Sequence, residues 1–158
     1  MLARARSRRR LYLVGILLAL LLFLVISAVL ARVLSIDGTE RTAIALLVTD
    51  EAAGNRSAMI ARIKGCETNA ACRARVATDA VRLRRSGVVS ILQLSPSAGF
   101  SLTSTLGTAR VAWRAGSTLP VVQCVRVRRS GDALTGFSVQ LLKLSRRIAS
   151  DSDCPKRY

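Results

Sequence analysis

The chain has 158 residues and no histidine. That absence removes the commonest general base, the usual neutral metal ligand and any serine–histidine triad. No P-loop, dinucleotide fingerprint or calcium-loop spacing is present either. The four cysteines form no C-x-x-C pair, the spacing used in redox centres and in most zinc sites. Aromatic residues are 4% of the chain and Trp113 is the single tryptophan. Without interleaved aromatics there is no stacking platform for single-stranded nucleic acid, which is therefore not an expected partner. Serine-rich segments such as 95–97 and 101–104 lack a companion base and read as turns and strand edges. Asp50 and Glu51 are adjacent on a helix, so they point apart. Asp151 and Asp153 sit in a polar tail. These absences predict a non-enzymatic protein with no catalytic residue, cofactor or metal.

Acidic residues are also missing before Asp37, and this gap frames the most informative segment. Arg4, Arg6, Arg8, Arg9 and Arg10 crowd the start, 21 uncharged residues follow from 11 to 31, and Arg32 closes the run. At about 1.5 Å per helical residue, such a run reaches roughly 31 Å, the thickness of a bilayer's hydrocarbon core. A helix satisfies its own backbone polar groups in lipid, and the arginine cluster favours the cytoplasmic side. The reading is a signal anchor in the cell membrane: 1–10 cytoplasmic, 11–31 transmembrane, 32–149 an extracytoplasmic domain, and 150–158 a polar tail. A cleaved secretory signal is the competing reading. Its apolar stretch is normally about 7–15 residues and ends at a small-residue site. The run here is longer and has no clean A-x-A pattern, although Val29-Leu30-Ala31 would be tolerated. Gly15, Ala19, Ser27 and Ala31 fall on one helical row, a spacing that lets two helices approach and self-associate.

Cys66, Cys72, Cys124 and Cys154 all follow the apolar run. An even count in an exported domain favours disulfides, with three pairings open. The local pairing, Cys66–Cys72 with Cys124–Cys154, closes a short gap between helices and pins the tail to a strand. A single bridge with two free thiols, and a four-thiolate zinc site, are the alternatives.

In the exported part Asp37 and Glu40 have the spacing of a capping box, predicting a helix from 38 to 53. A short helix should follow Gly54-Asn55 and run to 64. Asn69 should cap a third, ending near Arg85. The period then changes. Strands are expected at 88–94, at 101–114 with an interruption near Gly107, at 121–129, and from about 134 to 144. Val111 and Trp113 oppose Arg110, Ala112 and Arg114; Val121, Gln123, Val125 and Val127 oppose Val122, Cys124, Arg126 and Arg128. Ser130-Gly131-Asp132 reads as a hairpin turn. The fold class is α+β: the membrane helix, then about three helices packed on a roughly four-stranded antiparallel meander.

Residues 42–66 (TAIALLVTDEAAGNRSAMIARIKGC) and the paired strands within 119–144 resemble the cystatin-like cone of the nuclear transport factor two-like superfamily. Bacterial members often sit behind one membrane helix, as in assembly proteins of type IV secretion. The resemblance implies a fold and a tendency to dimerise through the sheet; it implies no activity.

The formal net charge is +16, almost all of it arginine. If Arg110, Arg114, Arg126 and Arg128 share one sheet face, four guanidiniums cluster there, suited to bidentate binding of phosphate or carboxylate. The alternative is a solvated outer face that resists edge aggregation. The expected function is a membrane-anchored binding or scaffold module of a bacterial cell envelope. Its partners would be the lipid bilayer, an anionic envelope polymer or head group, an envelope protein complex, or a second copy of the chain. Two further readings are an oligomerising subunit of a secretion or conjugation apparatus, and a small-ligand binder or enzyme with a pocket between helices and sheet.

Overall fold

The computed structural model describes residues 2–97, 104–132 and 136–155, with backbone only at 2–11, 32–36, 132, 136 and 137. The chain divides into two compact units, Met1–Ser35 and Ile36–Tyr158. Its elements run α1 (Leu2–Ala53), α2 (Arg56–Arg62), α3 (Ala70–Arg82), then β1 (Val89–Ser95), β2 (Ser104–Ala115), β3 (Val121–Asp132) and β4 (Gly136–Leu144). The class is α+β with one N-terminal apolar helical segment.

In the first unit, Tyr12–Ala31 is helical, long and apolar enough to cross a membrane, and none of it is buried in the protein. Gly15 has open space around its Cα, and Ala19 and Ala31 are exposed, with Ser27 half-buried. The side chains of Arg4, Arg6, Arg8, Arg9 and Arg10 lie outside the described residues.

The second unit corrects the expected start of its first helix. α1 already includes Asp37 and Glu40, so neither caps an N-terminus. Residues three apart lie on one side of a helix, the same spacing a capping box uses. Here both carboxylates serve a distant arginine on β3. Further along α1, Ile44, Leu47, Val48 and Ala52 form the buried stripe. Gly54, at φ 71°, ends the helix in a conformation that favours glycine. Asn55 accepts from the Ala58 amide at 3.1 Å and Asn69 from the Cys72 amide at 3.0 Å, so both expected caps form.

The sheet is a four-stranded antiparallel meander in the order β1-β2-β3-β4. Its inner face carries Ala109, Val111, Trp113, Val121, Val125, Val127 and Leu141, all buried with Met59, Val76 and Leu83 from the helices. Period-2 alternation in β2 and β3 follows from a sheet buried on one side by helices. The 63–64 segment is tied to β4, with the Lys64 amide donating to the Leu141 carbonyl at 2.8 Å.

Two local expectations fail. β2 runs unbroken through Gly107, where a Cβ would lie 2.4 Å from the Ser97 Cβ. The glycine is there for close approach of the 97 segment, not to interrupt the strand. Ser130, Gly131 and Asp132 are not the turn but part of β3, paired with Ser138, Phe137 and Gly136. The connection between β3 and β4 falls on 133–135 and that between β1 and β2 mainly on 98–103, both outside the described residues.

Both disulfides of the local pairing are present: Cys66–Cys72, with Cα atoms 5.3 Å apart, and Cys124–Cys154, at 5.7 Å. Neither a zinc site nor a free thiol is formed by these four residues.

Candidate functional site

The outer sheet face is built by register. Arg110 on β2 lies opposite Cys124 on β3, Thr108 opposite Arg126 and Leu106 opposite Arg128. Directly paired residues in an antiparallel sheet share a face, so Arg110, Arg114, Arg126 and Arg128 all lie on the side away from the helices. Lys143 on β4 joins them, opposite Arg126. None of the fully described strand residues on this face is acidic.

The tail divides that face. The Ile148 amide donates to the Val122 carbonyl at 2.8 Å, and Cys154 is bonded to Cys124. Arg110 donates from Nη2 to the Ser150 carbonyl, and its buried Nε has no hydrogen-bond partner among the described residues. Arg110 is thereby a clamp on the tail, so the tail has a second hold besides Cys154. Arg114 stands four residues along β2, roughly 13 Å away at strand rise. The exposed group that remains together is Arg126, Arg128 and Lys143, with Arg126 half-buried. The face brings three cations together where the sequence suggested four arginines.

Two buried carboxylates on α1 escaped the sequence reading. Glu40 accepts from the Ser97 amide at 2.7 Å, the Ser97 hydroxyl at 2.9 Å and Arg129 Nε at 2.6 Å. Arg129 also donates from Nη2 to Asp37 Oδ1 at 2.7 Å. Glu51 accepts at Oε1 from Gln123 Nε2 at 2.9 Å, and Gln123 Oε1 accepts from Trp113 Nε1 at 2.9 Å. Glu51 Oε2 has no partner among the described residues. Burial pushes the Glu51 carboxyl from the ordinary 4.5 up to about 8; the Gln123 bond opposes this and nearby Asp79 adds to it. The available signal was spacing: Glu40 precedes Ile44 by four, and Glu51 follows Leu47 by four, so both continue the apolar stripe. Asp50 diverges from Glu51 as expected and pairs with Arg62.

A third feature lies on the helical side. α3 and the segment after β4 enclose an open groove of about 690 Å³, with Arg75, Thr78, Asp79, Arg82, Arg146 and Arg147 among its walls. Asp79 is 4% exposed and its Oδ2 has no hydrogen-bond partner among the described residues. Burial raises its carboxyl above the ordinary range, while Arg75, Arg146 and Arg82, in that order, draw it back. Among the described residues no group of three or more metal-ligating side chains converges.

No family model, curated protein or solved structure matches this chain.

Proposed function

We propose that the protein is a membrane-anchored, extracytoplasmic binding module of a bacterial cell envelope, non-enzymatic, whose basic outer sheet face meets an anionic partner. The observation that carries this is the grouping of Arg126, Arg128 and Lys143 on a face whose fully described strand residues include no carboxylate. Guanidiniums so placed hold carboxylate or phosphate groups bidentately, and an anionic polymer can span several at once. The exposed apolar helix Tyr12–Ala31 supports the anchor, and the two disulfides support an oxidising compartment. Arginines ahead of the helix favour a cytoplasmic N-terminus. Within this reading the domain is a variant of the cystatin-like cone, supported by a leading helix, a short helix after Gly54-Asn55 and a four-stranded antiparallel sheet.

The test uses the full chain in phosphatidylcholine nanodiscs with poly-glutamate as probe. Binding should weaken steeply with salt and fall at least about tenfold in R126S/R128S, since each lost phosphate- or carboxylate-type contact is worth about a factor of ten. Binding unchanged by that double substitution would remove the outer face from the function. Membrane pelleting of the uncleaved chain with all thiols blocked to alkylation tests the location. A soluble chain with free thiols would end that part of the reading.

A further inference from the structure

The groove beside α3 continues into a second hollow on the N-terminal turns of the same helix. That hollow measures about 160 Å³ and is walled mainly by apolar groups: Ile63, the Cys66–Cys72 bridge, Val76, Leu142 and Leu144. Ala71 and Arg75, one helical turn apart, line both spaces. Residues 142–144 border the hollow and 146–147 the groove, in the same order as the turns of α3. The two are therefore consecutive stretches of one cleft between α3 and the chain from 142 to 147. Its ends differ in chemistry. An apolar cavity of about 150 Å³ takes up one benzene molecule, so a group of about six carbons fills the apolar end. At the other end Arg75, Arg82 and Arg146 make no side-chain hydrogen bond or salt bridge with described residues. Arg147 also borders that end, with one nitrogen donating to the Pro120 carbonyl at 3.3 Å. Asp79, 4% exposed, acts on the three arginines through its charge. Three guanidiniums against one carboxylate leave two positive charges. A phosphomonoester, close to a dianion at neutral pH and with three acceptor oxygens, matches them better than a monoanionic carboxylate does.

We propose that this cleft binds a phosphomonoester of an apolar group of about six carbons, a short anionic amphiphile. The phosphate lies among Arg75, Arg82 and Arg146, and the apolar group occupies the hollow between the Cys66–Cys72 bridge and Leu142. Charge selects the head and cavity volume selects the tail. The site does not depend on the outer sheet face, so the two readings stand or fall on different residues.

The test is calorimetric titration of the full chain in phosphatidylcholine nanodiscs, with empty nanodiscs as the blank, using hexyl phosphate and methyl phosphate in turn. The two probes share a head and differ only in the tail. Hexyl phosphate should bind at least about tenfold tighter, since each buried methylene contributes roughly fourfold. Hexanol, a tail without a head, and hexanoate, a tail with a monoanionic head, should each bind at least about tenfold more weakly than hexyl phosphate. R75S/R146S should weaken both phosphates by at least about tenfold, and R75K/R146K should stay weaker than the parent because lysine lacks the bidentate fork. Leu142→Ser should narrow the preference for hexyl over methyl phosphate. Ala71→Phe, at an exposed position on α3, should narrow it too by filling the apolar end, and serves where Leu142→Ser does not fold. At about 0.15 M salt R126S/R128S should leave both affinities unchanged. Native Trp113 fluorescence identifies variants that remain folded. Equal binding of hexyl and methyl phosphate removes the apolar end from the site, and hexanol or hexanoate binding as tightly as hexyl phosphate removes the phosphate. Either result, or binding unmoved by R75S/R146S in a folded variant, overturns the proposal.

Discussion

Arg129 on β3 reaches across 89 positions of sequence to donate to Glu40 on α1, at 2.6 Å. Its other arm meets Asp37 at 2.7 Å, so one guanidinium closes two carboxylates on adjacent turns of the same helix. Glu40 is fully buried and Arg129 is 14% exposed. Removing the cation from such a pair strands a charge in the interior and typically costs about 3–5 kcal/mol. Arg129→Met should therefore lower stability by about that much, read as a shift of the urea midpoint. Adding Glu40→Leu to the same chain should recover a large part of it, because the stranded charge is gone. A double variant no more stable than Arg129→Met would mean that packing, not charge, sets the cost.

Glu51 makes stability fall as pH rises. In the unfolded chain its carboxyl ionises near 4.5; in the fold it ionises near 8. Below pH 4.5 both states are protonated and the group is neutral to stability. Between 4.5 and about 8 the unfolded state is ionised while the folded state holds its proton, so each pH unit costs up to about 1.4 kcal/mol. Above 8 the loss is complete. Asp79, also raised by burial, acts in the same direction. Glu51→Gln keeps an acceptor for Gln123 and removes the titration. Denaturant midpoints at pH 5 and pH 8 should show the variant gaining on the parent as pH increases. Parallel behaviour of the two chains would show that Glu51 is not held neutral.

The two disulfides should contribute unequally. Cys124 and Cys154 are separated by 30 positions, Cys66 and Cys72 by 6. Chain-entropy arithmetic gives about 4 kcal/mol for the longer loop and about 2 for the shorter. C124A/C154A should thus be the more damaging pair in non-reducing denaturation. It should also release the tail from Cys124, leaving the Ile148–Val122 bond and the Arg110 contact with Ser150 to hold what precedes it. Equal losses from the two pairs would show that native contacts, rather than loop length, decide.

What was legible in the chain follows from how local each determinant is. The alternation of Val111 and Trp113 against Arg110 and Arg114 reports a sheet covered on one side, and it holds residue by residue. Asn55 and Asn69 act within three residues, so their caps were readable, as were two disulfides joining near neighbours in the fold. Asp37 and Glu40 were misread because spacing of three serves a capping box and a shared helix face equally; only Arg129, far along the chain, decides between them. The groove was invisible for the same reason, since Arg146 and Arg147 join the α3 arginines only after the sheet has formed. The outer-face cluster was half visible: alternation placed the arginines on one side, but it carried no sign that Ser150 would lie on Arg110.

Gly107 is the sharpest local test of the packing at that end of the sheet. It sits inside β2, opposite Val127, on the face where Ser97 approaches. A Cβ added there would lie 2.4 Å from the Ser97 Cβ and 2.9 Å from its hydroxyl oxygen. Neither distance is tolerable for carbon, and Ser97 is not free to withdraw: its amide and hydroxyl both bond Glu40. The strand conformation itself favours alanine over glycine, by roughly 0.5–1 kcal/mol. Overpacking of a fixed neighbour costs about 1–3 kcal/mol, so the clash should win. Gly107→Ala should destabilise the domain, and pairing it with Ser97→Gly should restore much of the loss despite removing a hydrogen bond to Glu40. A stabilising Gly107→Ala would show that the 97 segment can move away from the sheet, and would detach Glu40 from the role given to it here.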